Sequence, residues 1–176
     1  MSLLFQIANQ TAVINERIAI SLGFITLALG LATFISCRSF ISLLMRLGIK
    51  TPMRNAVFLS FYRYHTYYWW FFGVAALSHF MMATFHTGLP QPGDPDAGIH
   101  WLILALGMAS AVSGLTLFSS CRAYPRLMSP AVPKLSFQSA TYRMFFRYHS
   151  YYWWVFGLLV AAHFVASYLH AGIWPL

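Results

Sequence analysis

Charged residues are spaced so unevenly along this chain that they divide it into four apolar runs. Ile18 to Cys37 gives twenty residues without a charge, enough for a helix across a hydrocarbon core of about 30 Å. Further runs extend from about Tyr64 to Thr87, from Trp101 to Cys121 and from Tyr148 to His170. Between the first two lies a basic segment, 38–63, with Thr51-Pro52 placed like an N-cap and first-turn proline. A Pro/Gly/Asp loop, 88–98, follows the second run, and a second basic segment, 122–147, follows the third. The pattern predicts four membrane helices, at about 18–37, 64–87, 101–121 and 148–170.

Charge placement sets the expected topology. Ten of the eleven lysines and arginines fall in the two basic segments, while Asp94 and Asp96 lie in the other loop. By the positive-inside rule the basic segments are cytoplasmic and both termini are outside. The first sixteen residues lack the basic region and cleavage site of a signal peptide. The expectation is a multi-pass protein of a prokaryotic plasma membrane.

Composition agrees. Only 8% of residues are charged and 59% are hydrophobic, whereas a soluble domain carries about a quarter charged. The net charge of +8 resides in the topology-setting segments, so it does not indicate nucleic acid. The two cysteines, Cys37 and Cys121, form no CxxC or CxxCH motif, so covalent c-type haem attachment is not indicated.

The chain repeats itself at an offset of 84. Arg63-Tyr64-His65-Thr66-Tyr67-Tyr68-Trp69-Trp70 recurs as Arg147-Tyr148-His149-Ser150-Tyr151-Tyr152-Trp153-Trp154. Residues 61–90 and 145–174 share fourteen identities in thirty, and Ser36-Cys37-Arg38 matches Ser120-Cys121-Arg122. Gly23 and Gly30 match Gly107 and Gly114. One domain, 1–176, is expected, with repeats at about 17–90 and 101–174. The fold class is all-α: a membrane four-helix bundle of two parallel helix pairs about an axis along the membrane normal.

Six of the seven histidines lie in the repeats. His65 and His79 are fourteen residues apart, about 40° short of four whole turns, so they share one helix face about 21 Å apart along the axis. His149 and His163 repeat this. Two facing levels result, His65 with His149 and His79 with His163. Paired imidazoles across a bundle suit a haem iron, which takes axial ligands on both sides. Ionisable groups inside a membrane helix are expensive and mark function.

This pattern resembles the haem-binding four-helix bundle of the cytochrome b subunit of quinol:cytochrome c oxidoreductases and other di-haem membrane b-type cytochromes. The resemblance covers the bundle and not the loops. It implies that His65 and His149 ligate one haem b and His79 and His163 another. It makes Gly23, Gly30, Gly107 and Gly114 the positions where porphyrin approaches the backbone, although small residues also serve helix packing. Arg63 and Arg147 are placed to meet haem propionates or to fix topology at the headgroups. The overt repeat and a third histidine in each copy depart from the family.

That third pair, His86 and His170, lies seven residues further, about 10 Å along the same stripe. It admits a third haem, a metal site, propionate contacts, a quinol proton acceptor, or a headgroup-facing role. The Tyr-Tyr-Trp-Trp runs read as an aromatic belt with some rings free to wall a pocket, and Cys37 and Cys121 as small structural residues. Lone His100 corresponds to Glu16 and reads as solvated.

The expected function is transmembrane electron transfer as a subunit of a larger quinone-linked complex. Its partners would be lipid, other membrane or extrinsic redox subunits and a quinone. No catalytic residue is assigned. A histidine-lined metal-binding protein or transporter, and a structural assembly subunit, are the alternatives. The three acids all lie outside the apolar runs, which disfavours a cation path.

Overall fold

The computed structural model describes residues 3–49, 54–87, 90–91, 93, 95–121 and 139–171, and the secondary structure among them is helical throughout. The expected cap at Thr51-Pro52, Asp94, and residues 122–138 of the second basic segment lie outside the described residues.

The first helix, α1, runs Leu3–Ile35 and is much longer than the apolar run that predicted it. No proline or glycine interrupts residues 3–22, so the helix continues through the Glu16-Arg17 pair. After a turn at Ser36 and Cys37 comes α2, Arg38–Arg46, amphipathic and ending at Gly48. Gly48 has φ +85°, and the amide of Ile49 closes back on Leu44 O at 3.0 Å. That is a helix stop only glycine adopts cheaply.

Helix α3, Ala56–Arg63, is capped by Asn55, whose side chain accepts from the amides of Val57 and Phe58. A single residue, Tyr64, separates it from α4, His65–Thr87. The second half repeats this plan. Helix α5 is Ala97–Ser119, α6 is Ala140–Arg147 with Ser139 as its cap, and α7 is His149–Ala171 after Tyr148. Asn55 and Ser139 are 84 residues apart, as are Tyr64 and Tyr148, so the caps and breaks obey the repeat.

Among the described residues three helical stretches are long and apolar enough to cross a membrane: Val13–Ile35, Ala97–Ser119 and His149–His170. Helix α4 equals α5 in length and contains no Asp, Glu, Lys or Arg, but its tyrosines, tryptophans and histidines lower its mean hydropathy. Large apolar side chains point outward along these helices, among them Leu31, Val74, Leu115 and Leu158. A surface of this kind suits lipid rather than water.

Helix α1 packs along α4, and α5 along α7. The two pairs meet through aromatic rings. Phe34 of α1 meets Trp153 of α7 at 5.0 Å between centroids, and Phe118 of α5 meets Trp69 of α4 at 5.3 Å. Between α4 and α7, Trp69 faces Trp153 at 6.0 Å and Phe72 faces Phe156 at 5.9 Å. Each cross-contact thus recurs with the halves exchanged. The best-buried residues, Thr33, Ser36, Leu117 and Ser120, gather where α1 and α5 end, called here the cysteine end.

Leu117 is fully buried and Leu158 is largely exposed. Leu117→Ala should cost roughly 2–5 kcal/mol through the cavity it leaves, while Leu158→Ala should cost less than about 0.5 kcal/mol. Unfolding of the micelle-solubilised protein by added SDS measures both.

Candidate functional site

The site is the stripe of α4 and α7 that faces between the helix pairs. His65, Phe72 and His79 follow at seven-residue intervals, as do His149, Phe156 and His163. Seven residues are nearly two turns, so these side chains stay on one seam.

At the level of His79 and His163 the imidazole centroids are 6.3 Å apart with ring planes at 80°. His79 Nδ1 lies 2.9 Å from Ala19 O, and His163 Nδ1 lies 3.1 Å from Ile103 O. A carbonyl only accepts, so both Nδ1 atoms carry the proton and both Nε2 atoms are lone-pair nitrogens. The close approach to α1 and α5 requires glycine. A Cβ on Gly23 would stand 3.1 Å from His79 Cε1, and one on Gly107 3.2 Å from His163 Cε1. Gly30 and Gly114 make the same room for Phe72 and Phe156. The expected close-approach glycines are therefore seats for aromatic and imidazole rings in this structure.

At the cysteine end each histidine is held by three side chains. Trp69 Nε1–H donates to His65 Nε2 at 3.1 Å, which fixes that nitrogen as the acceptor. Nδ1–H of His65 then donates to Ser36 Oγ at 2.8 Å, and Ser36 Oγ–H donates to Thr33 O at 2.9 Å. The thiol of Cys121, from the other repeat, lies 3.2 Å from the same Nε2 and shares its lone pair. His149 has the matching set: Trp153 at 3.3 Å and Cys37 at 3.2 Å on Nε2, and Ser120 at 2.8 Å on Nδ1. The cysteines thus cross between repeats, each thiol meeting the histidine of the other half.

All four stripe histidines therefore share one tautomer, Nδ1–H, with Nε2 as the basic nitrogen. Metal-ligating histidines are held in this way, by an acceptor that takes the hydrogen of the other ring nitrogen. The two levels differ as haem seats. Two imidazoles on one iron, with metal–nitrogen bonds of about 2 Å, have their centroids about 6 Å apart, so His79 and His163 fit axial ligation. His65 and His149 do not fit a haem as they stand. Two donors occupy each Nε2, and the buried rings of Trp69 and Trp153 fill the space beside them.

The remaining sequence candidates separate. Arg63 and Arg147 end α3 and α6, exposed, two residues before the inner histidines. His170 meets His100, with Nε2 atoms 2.8 Å apart, so His100 has a partner the repeat did not foretell. His86 lies on α4, and its side chain lies outside the described residues. Among the described residues no group of three or more His, Cys, Asp or Glu gathers to hold a metal ion. An open groove of about 470 Å³ lies along α5 and α7, lined by Met108, Ala109, Val112, Ser113, Thr116, Tyr152 and Val155. It exists in the second half because Ile25, Leu29 and Phe71 of the first repeat correspond to Ala109, Ser113 and Val155. Sequence reasoning missed Ser36, Ser120, Cys37, Cys121, Trp69 and Trp153 as partners of the histidines. The indole contact follows the i, i+4 spacing from histidine to tryptophan, which is visible in the sequence.

Two experiments test this geometry. ¹⁵N NMR of histidine-labelled, cofactor-free protein should give the Nδ1–H pattern at residues 65, 79, 149 and 163, and Ser36→Ala should alter His65 alone among them. Gly23→Ala and Gly107→Ala should destabilise by roughly 1–3 kcal/mol through overpacking. Gly73→Ala and Gly157→Ala, whose Cβ atoms would meet nothing within 4 Å, should stabilise by about 0.5–1 kcal/mol. No protein-family model, curated protein or solved structure matches the chain.

Proposed function

We propose that this chain is a b-type haem protein of the membrane that passes electrons between the two faces of the bilayer. Its fold on this reading is a four-helix bundle of two parallel repeats, with α4 as the fourth span, and both basic segments face the cytoplasm. The observation that carries the proposal is the shared Nδ1–H tautomer of four histidines, paired at two levels. Each carries its lone pair on Nε2 inside an apolar protein, where an imidazole without a task is costly, although at the cysteine end an indole and a thiol occupy that lone pair.

His79 and His163 are the residues that would hold the first haem. Their Nδ1–H bonds to Ala19 O and Ile103 O hold the rings upright and raise the basicity of Nε2. Gly23 and Gly107 let the rings sit close to the neighbouring helices, and the exposed apolar surface keeps water from the seam. A bound haem supplies a one-electron couple, ferric to ferrous. His65 and His149 do not fit a haem as they stand, and their Nε2 atoms would be open to a second one only if the indole and thiol donors left. Each buried donor left without a partner costs roughly 1–3 kcal/mol, so the His79/His163 level fills first. Arg63 and Arg147 lie at the depth where propionates of a second haem would need cations. Electrons need a donor and an acceptor, which assigns the chain to a larger complex. The groove beside Tyr152 has the size for a lipid-soluble quinone.

The purified protein, oxidised and then reduced with dithionite, should show the sharp bands and pyridine haemochrome of haem b. His79→Ala/His163→Ala should remove the first-loaded haem and leave at most one per chain. A colourless protein after haem reconstitution would rule out the proposal. Loss of all haem from His65→Ala/His149→Ala, with none lost from the other pair, would reverse the ligand order.

A further inference from the structure

His100 and His170 stand apart from the stripe in one respect. Their Nε2 atoms face each other directly, 2.8 Å apart, with ring centroids at 4.7 Å and planes at 85°. Nitrogens this close share one hydrogen, so one ring is the Nε2–H tautomer and the other offers its lone pair. The pair bridges the start of α5 and the last turn of α7, at the end of these helices remote from the cysteines. His170 is exposed and His100 half-buried, so water and solutes reach them.

We propose that His100 and His170 form a binding site for a divalent transition-metal ion of the zinc or copper kind. Such ions take neutral imidazole readily, and zinc–nitrogen bonds of about 2.0–2.1 Å at a tetrahedral angle place two nitrogens about 3.3 Å apart. The rings need to part by only about half an ångström from their present contact. On binding, the shared hydrogen leaves Nε2 and a proton returns to Nδ1 of the same ring through water. Both Nε2 lone pairs then go to the metal, and the neutral pair releases no net proton. Water completes the coordination on the exposed side. Because α5 and α7 pack along each other, the two ligands are brought together before the metal arrives. In the first repeat the corresponding positions hold Glu16 and His86, so the two-imidazole site belongs to the second half alone.

The site is independent of the haem proposal, and its test does not read haem chemistry. Calorimetric titration of the full chain in micelles with Zn²⁺ should give one site per chain. His100→Ala and His170→Ala should each abolish it, with helix content by circular dichroism confirming that both variants fold. Bound Cu²⁺ should show EPR hyperfine structure from two imidazole nitrogens in the wild type. No zinc binding by the wild type would overturn the proposal. So would undiminished binding in either folded variant, or binding lost instead on His79→Ala/His163→Ala.

Discussion

The hydrogen bond from histidine Nδ1 is the constraint on which the rest of this structure turns. In an apolar interior an imidazole N–H without an acceptor costs several kcal/mol, so every buried ring needs one. Two rings take it from helix backbone, at Ala19 O and Ile103 O. Two take it from serine hydroxyls that pass their own hydrogens to carbonyls one turn back. Either way, α4 is tied to α1 and α7 to α5 at fixed depth, and the tautomer follows. The glycines, the crossed cysteines and the aromatic pairs between the halves are arranged around rings already held.

The two levels divide structure from chemistry. At the cysteine end Nε2 is shared by an indole and a thiol, and the surroundings include the best-buried residues of the chain. That level joins the two repeats through four side-chain contacts in reciprocal pairs. At the His79/His163 level Nδ1 is tied to a backbone carbonyl and Nε2 carries the lone pair, with the ring centroids 6.3 Å apart. One repeat unit thus serves packing at one depth and, on the proposed function, would supply ligands at the other. The difference arises from what lies four residues on: tryptophan after His65 and His149, but Ala83 after His79 and Ser167 after His163.

Much of this was legible in the sequence because it is periodic. The 84-residue offset predicted which side chains correspond, and the fourteen-residue interval put His79 and His163 on the faces that meet. The helices α4, α5 and α7 begin and end within a few residues of the apolar runs. Other features depend on backbone beyond a helix end. Cys37 and Cys121 sit in the turns after α1 and α5, where helical arithmetic no longer gives a direction, so their reach to the opposite repeat was invisible. Trp69 and Trp153 were read with their neighbours as an interfacial belt. Trp70 and Trp154 are indeed exposed, but the preceding tryptophans turn inward to the histidines. The repeat gave His100 no imidazole partner, because its counterpart, Glu16, is an acid.

The angle between the two imidazole planes gives the most direct measurement of the central claim, that His79 and His163 hold a haem iron between them as oriented by their carbonyl acceptors. With ring planes at 80°, two imidazoles on one iron would each interact with a different dπ orbital and leave the two orbitals nearly equal in energy. Ferric EPR of the haem-loaded protein should then show a highly anisotropic low-spin signal that disappears in His79→Ala. A high-spin signal, or a low-spin signal unchanged by His79→Ala, would contradict the account.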